Sequence, residues 1–366
     1  MKEKILSIIV PSYNMEKYLP KCLGSLIVAP ELMEELEVLV VNDGSKDRTS
    51  EIAHEFAAKW PGTFKVIDKK NGNYGSCINA ALPIATGKYV KVLDADDWFA
   101  TAAFEEYLRF LEKEKDVDLV VTNYDTVGEN DCVTKQHRYE FDPVKEFSNE
   151  VFLASKSYLP MHALTYRTAL LCEMGYRQLE GVSYTDTEWS FLPLAFVDTV
   201  RYCPETVYKY FFGRAGQTME AGKIAKSWWM RGELALHLLE SFNEMCADNQ
   251  SSACRVLEKR ADDLIVGVYR GGIFGNNGVA AQIDLNDFDA RLKTIDATCY
   301  RRVGEAIYSR HVPYRFVRGW REQRGCRLIM ELVCKVYSLI VYRGADVIFF
   351  LHQGCGGRVG VWDRSV

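Results

Sequence analysis

The chain has 366 residues, 48% hydrophobic and 26% charged, a globular composition that excludes extensive disorder and leaves room for about two domains. Its eleven cysteines, an odd number with no C-x-x-C pair, argue against a disulfide framework or a zinc cluster and suit a reducing cytoplasm. The net charge of −5 hides an asymmetry: from Arg301 onward 12 Lys/Arg face 5 Asp/Glu, against 33 and 45 before it, so an acidic body carries a basic tail suited to an anionic surface, nucleic acid or lipid headgroups.

In chain order, the first apolar run is stopped by Pro11, is too short for a signal-peptide core, and reads as a strand over residues 5–10. Helical and strand patterns then alternate: helix 16–26, strand 37–41, helix 47–59, strand 64–67, helix 76–85, strand 89–93, helix 102–113 and strand 118–122. Ser45 or Asp47 is the expected cap of the second of these helices. The rhythm predicts an α/β fold with a mostly parallel, doubly wound, Rossmann-like sheet flanked by helices. Residues 130–215 are mixed, with a helix expected over 187–195. From residue 223 the reading is mainly helical, as at 228–245 and 256–268, interrupted by the glycine-rich stretch 271–278. A boundary near residue 220 divides 1–220 from a mainly helical region, 221–366.

Ligands of such sheets bind beyond the carboxyl ends of the strands. Pro11-Ser12-Tyr13-Asn14, Asn42-Asp43-Gly44-Ser45 and Asp94-Ala95-Asp96-Asp97 all fall there. Ending a buried strand in three aspartates is unfavourable without a counter-charge, and the acidic pair of segments suggests a nucleotide-sugar site. Asp43 can accept from the N3–H of uracil, which cytosine lacks, favouring a uridine or thymidine nucleotide; the same four residues also read as a turn capping the next helix. Asp94 and Asp96, two apart in extended chain, point to one side and suit a ribose hydroxyl and a hard divalent ion, Mg²⁺ or Mn²⁺, on a diphosphate. Asp97 reads as a cap for the following helix. Asp186 is either part of an N-cap, with Thr185, or a general base for an acceptor hydroxyl. Arg214 offers a cation for a diphosphate or is a loop arginine. His162 reads as an acceptor contact or a structural histidine, the Lys69-Lys70 pair as a phosphate attractor or a solvated turn, and Trp228-Trp229 as a sugar-stacking platform or interdomain packing, while the glycines from Gly271 are given no ligand.

Together, Ile8-Ile9-Val10-Pro11-Ser12-Tyr13-Asn14, Val41-Asn42-Asp43-Gly44-Ser45, Asn71-Gly72-Asn73-Tyr74-Gly75 with Asn79, and Leu93-Asp94-Ala95-Asp96-Asp97-Trp98 resemble the family 2 glycosyltransferases of the inverting, GT-A type. The resemblance spans residues 5 to about 125 and continues more loosely through Asp186 to Arg214. It implies that Pro11, Tyr13, Asp43 and Asp94 hold the nucleoside, Asp96 the metal, and Asp186 acts as base. Thr185 stands where the family usually has a glutamate, which keeps Glu188 as a substitute. The Q-x-x-R-W signature of processive synthases is absent in that form, so transfer of a single sugar is expected, from a nucleotide-sugar donor to a glycan or lipid-linked acceptor. Rival readings are a non-catalytic sugar-nucleotide binder and a nucleotidyltransferase, the latter lacking its glycine-rich basic loop after the first strand.

Toward the end, residues 328–342 are apolar apart from Glu331, Lys335 and Ser338, fewer than the ~20 residues that span a bilayer. Arg315, Arg318, Arg321, Arg324 and Arg327 precede them at every third position. Greasy helix and basic flank together suit peripheral contact with a membrane; a packed helix with solvated arginines fits the same pattern. No recognisable nucleic-acid-reading module accompanies these charges.

Overall fold

The computed structural model describes residues 4–154, 160–213, 225–247, 251–275, 282–309 and 312–322. Strands β1 (Leu6–Ser12) and β2 (Leu36–Asn42) are buried along their whole length, as strands covered on both faces must be. They pair in parallel, with β3 (Phe64–Asp68) outside β2 and β4 (Tyr89–Val92) on the other side of β1. The connections carry α1 (Leu19–Gly24), α2 (Pro30–Met33), α3 (Thr49–Lys59) and α4 (Asn73–Ala81). After β5 (Trp98–Phe99), α5 (Thr101–Lys113) buries Phe104, Tyr107, Leu108 and Leu111, one face of a 3.6-residue period.

The rest of the sheet is mixed. It comprises β6 (Leu119–Val127), β7 (Val133–His137), β8 (Phe147–Ser148) before α6 (Asn149–Ala154), β9 (Leu164–Arg167) before α7 (Thr168–Glu173), and β10 (Thr199–Phe211) after α8 (Asp186–Trp189). The ten strands run in the order β3-β2-β1-β4-β9-β6-β10-β5, with β7 on β6 and β8 on β10. Four-residue β9 is wedged antiparallel between β4 and β6, while β6 and β10 are parallel. That wedge brings residues just before β9 to the end of β4.

Several expected elements end where proline or glycine chemistry ends them. The helix expected over 16–26 shrinks to α1, with Pro20 in its first turn, the only place where a missing N–H is tolerated. The one expected over 187–195 is instead α8 followed by a separate 3₁₀ turn, Leu192–Ala195, with Pro193 at its start. Of the two expected caps, Asp47 accepts from the Thr49 N–H at 3.0 Å, whereas Ser45 is taken by the Asn14 N–H.

The helical region contains α9 (Trp228–Met245), α10 (Ser252–Phe274), α11 (Leu285–Ile295), α12 (Ala297–Gly304), the hairpin β11 (Ile307–Ser309) and β12 (Val312–Arg315), and α13 (Phe316–Glu322). Its apolar residues join the core of the sheet region in one cluster, with Phe191 and Phe242 in edge contact at 5.9 Å. The boundary placed near residue 220 falls outside the described residues. Gly271 and Gly272 lie inside α10 instead of interrupting it, and a side chain at Gly271 would overlap the Trp228 ring, which requires glycine there. Gly271→Ala is therefore expected to lower stability by about 1–3 kcal/mol through overpacking. Calorimetry checks this, and an unchanged Tm would mean the indole yields freely.

Arg315 and Arg318 both pair with Glu305, and Arg321 bonds to Asp289 at 2.7 Å. Arg321 is mostly buried in its contact, while Arg315 and Arg318 remain about half exposed beside Glu305. Arg324, Arg327 and the apolar stretch 328–342 lie outside the described residues. Among the described residues, no helix is long and apolar enough to cross a membrane.

Candidate active site

Asp43 follows β2 and is buried, at 3% exposure. Its Oδ1 accepts from the Lys69 ammonium at 2.6 Å and from the Gly72 N–H at 3.0 Å. Lys69, expected in a solvated turn, also donates to the Lys70 carbonyl and to Ser76 Oγ, so it fixes the loop that carries Asp43's partners. The turn needs Gly44, whose φ of +72° suits glycine and whose missing Cβ would sit 3.0 Å from the Asn71 nitrogen. Pro11 is buried within β1, and Tyr13, 43% exposed, stands at its end.

The second acidic segment departs from an extended chain. β4 stops at Val92 and the Asp97 N–H donates to the Asp94 carbonyl at 2.9 Å, a turn about Ala95 and Asp96. A turn brings residues i and i+3 together, so Asp94 is grouped with Asp97 in place of the Asp94 and Asp96 pairing expected from strand geometry. Asp94 Oδ1 accepts from the Tyr74 hydroxyl at 2.7 Å, which ties it to the first turn of α4. Asp97 caps no helix. It is buried and accepts from the Tyr208 hydroxyl and the Phe211 N–H, each at 2.7 Å, pinning the end of β10 against the turn. Burial, then the charges of Asp96 and Asp94, push its carboxyl upward.

His162, just before β9, packs among Tyr124, Tyr208 and Tyr210, with ring centroids 5.5, 4.7 and 4.5 Å away. Burial, then the charges of Lys91 and His137, push its imidazole down to about 3, so it is neutral. Buried Lys91 donates to the His162 carbonyl at 2.8 Å and the Leu164 carbonyl at 3.2 Å, and burial pushes its ammonium down to about 7. Ligating atoms of Asp94, Asp97 and His162 lie within 4.8 Å of one another. The donor set fits a divalent ion: two carboxylates and a neutral imidazole whose buried Nδ1 has no hydrogen-bond partner. Asp96, expected as metal ligand, is on the same turn but outside that trio.

Across the cleft, Tyr184, held at a φ of +74°, and buried Thr185 lead into Asp186, the first residue of α8. Neither Thr185 nor Asp186 forms the side-chain cap expected: the helix has none, and Thr185 Oγ1 is buried without a partner. Asp186 remains exposed, yet crowding by protein pushes its carboxyl up to about 6, against the pull of Arg231 and the Thr187 N–H. Water reaching the side chain moderates that push. Glu188 faces inward, fully buried, its Oε2 accepting from the Leu179 N–H at 2.9 Å and its Oε1 3.1 Å from His237 Nε2. It is spent on structure, which leaves Asp186 as the open carboxylate. Arg214 lies outside the described residues.

The acidic groups act on common neighbours. Tyr210, at the end of β10, is pushed upward first by burial and then by the charges of Asp97, Asp94, Asp96 and Asp186 together. Tyr74 is acted on by both Asp94 and Asp186, while the turn before it carries the Gly72 N–H to Asp43. The sequence pointed to the carboxylates, but it offered His162 for the acceptor and Lys69 for phosphate, not for the partners they have here, and it gave no sign of Lys91.

A Rossmann-like sheet with an acidic turn at the end of its fourth strand, extended by a mixed half and helices, is the GT-A architecture of nucleotide-sugar enzymes. The model of the family described as Glycosyl transferase family 2 matches residues 7–171. An uncharacterized glycosyltransferase of Mycoplasma pneumoniae, the MG060 homolog, is 33% identical over 218 residues, 58% of this chain and 71% of that protein. A second from the same organism, the MG025 homolog, is 38% identical over 103 residues, which cover 28% of this chain and only 34% of that one. Among solved structures, S. aureus TarS 1-349 in complex with UDP-GlcNAc matches with a TM-score of 0.60 at 20% identity, over 87% of this chain and 92% of that one. The chain belongs to glycosyl transferase family 2.

Proposed function

We propose that the protein is an inverting, metal-dependent glycosyltransferase that moves one sugar from a UDP-sugar to an acceptor hydroxyl, in assembly of a cell-surface polysaccharide or glycolipid at the cytoplasmic side. The observation that carries this reading is the grouping of Asp94, Asp97 and His162 at the end of β4, with their ligating atoms within 4.8 Å of one another. Asp43 receives the base edge, fixed in place by Lys69 and Gly72. Pro11 and Tyr13 flank it, and Asp94, oriented by Tyr74, faces the ribose. Asp94, Asp97 and His162, with Asp96 beside them, would hold Mn²⁺ or Mg²⁺, which when bound offsets the charge that builds on the departing diphosphate. Arg214 is assigned to the same diphosphate. Asp186 takes the proton from the acceptor hydroxyl as its oxygen bonds to the anomeric carbon and the bond to the diphosphate breaks. One such displacement inverts the anomeric centre.

Support for a UDP-sugar comes from Asp43's fit to uracil N3–H and from the fold shared with TarS, which was solved with UDP-GlcNAc. A panel of nucleotide sugars incubated with Mn²⁺ or Mg²⁺ tests the reading, with slow release of UDP from one UDP-sugar as the expected result. Hydrolysis of none, alongside tight UDP binding, would instead establish a non-catalytic nucleotide-sugar binder.

A further inference from the structure

Beside Asp186 a cavity of about 160 Å³ opens between α8, α9 and α10, lined by Tyr184, Thr187, Trp228, Arg231, Asp263 and Gly267 with aliphatic neighbours. The Arg231 guanidinium lies over two of its aromatic walls, 4.1 Å from the Tyr184 ring and 5.3 Å from that of Trp228. Its Nε is buried with no hydrogen-bond partner, and among the described residues no carboxylate pairs with it. Asp263 lines the same cavity, but its carboxyl is acted on by Lys259 and Asp262, not by Arg231. The carboxylate whose charge it feels is Asp186, which is not within ion-pair distance, so an arginine laid on aromatic faces with a buried N–H unbonded keeps capacity for an anion, and its planar fork suits phosphate or carboxylate.

The platform is built, not incidental. Tyr184 holds a left-handed backbone and its hydroxyl bonds Ser227 Oγ at 2.8 Å. Trp228 Nε1 donates to the Val268 carbonyl at 3.1 Å, and its ring occupies the space that Gly271 leaves free. Arg231 also acts on Asp186, lowering its carboxyl, so the cavity and the assigned base are neighbours.

We propose that Arg231 binds an anionic group, phosphate or carboxylate, carried by the acceptor next to the hydroxyl that Asp186 deprotonates. This rests on the reading of Asp186 as the base and adds that the acceptor is charged. The helical region thereby supplies acceptor specificity to a cleft that the sheet region builds for the donor.

The test uses the full chain saturated with UDP and Mg²⁺, so that the donor site is filled, titrated calorimetrically with phenyl phosphate, benzoate and neutral benzyl alcohol. Wild-type protein should bind one of the two anions over the alcohol, and which one identifies the acceptor's charged group. Arg231→Gln should weaken that anion by about 10- to 100-fold, as expected for loss of a charge-assisted pair, while Arg231→Lys keeps part of the affinity. Equal anion binding by wild type and Arg231→Gln, or no anion preference in the wild type, overturns the proposal. So does a variant whose only change is a shifted pH profile, since Arg231 would then merely tune Asp186. UDP-sugar hydrolysis by the wild type reports the catalytic reading separately: hydrolysis without an anion effect sinks the acceptor inference alone.

Discussion

Replacing Asp186 with asparagine is expected to cut sugar transfer by roughly 10²- to 10⁴-fold, the range for loss of a general base, while UDP affinity stays within about twofold of wild type. The expectation follows from position. Asp186 is the exposed carboxylate at the start of α8, whereas Glu188, the alternative base, is buried against the Leu179 N–H and His237. Crowding raises the Asp186 carboxyl to about 6, and the base form predominates above that value. In wild type, kcat/KM should therefore fall as the pH is lowered through about 6, and the residual activity of the asparagine variant should lack that limb. The stability effect has the opposite sign. An acid raised in the folded state binds its proton more tightly there than when unfolded, so the charged form opposes folding at neutral pH and its removal should not lower the Tm. Undiminished turnover in Asp186→Asn would remove this residue from the mechanism.

A second large effect is expected at the acidic turn. Asp94→Ala should abolish most of the gain in UDP affinity that Mn²⁺ confers, a loss of at least about 10-fold, since even outer-shell supports of metal sites are worth 10- to 100-fold. His162→Ala should do the same, because its neutral imidazole, with an unpartnered Nδ1, completes the group formed with Asp94 and Asp97. Asp96→Ala is the informative comparison. The turn at Ala95-Asp96 places Asp94 and Asp97 together, so a smaller effect at Asp96 would mean that the turn, not strand spacing, decides the ligand set. Calorimetric titration of UDP with and without Mn²⁺ into each variant measures this. Equal affinities under both conditions in the wild type would refute the metal role altogether.

The parallel half of the fold was legible in the sequence for a local reason. Strands buried on both faces read as apolar runs, such as Leu36–Asn42 and Leu6–Ser12, and the helices between them carry a 3.6-residue period, most plainly Phe104, Tyr107, Leu108 and Leu111. The mixed half was not. β9 is four residues long and β5 and β8 two each, too short for any periodicity to register. The helices expected over 16–26 and 187–195 ran across Pro20 and Pro193, each of which stands instead in the first turn of a shorter element.

By itself the sequence determined which residue types end which strands: Asp43 after β2, three aspartates after β4, and Asp186 ahead of a short helix. Those choices are local, set by strand period and turn chemistry, and they suffice to point at a nucleotide-sugar cleft. Tertiary structure alone decided the company these carboxylates keep. The wedged β9 carries His162 to Asp94, β10 returns Tyr208 and Phe211 to Asp97, and α9 lays Arg231 over Tyr184 beside the assigned base. Such meetings depend on strand register and helix packing across long separations, and neither leaves a mark in the residues that meet.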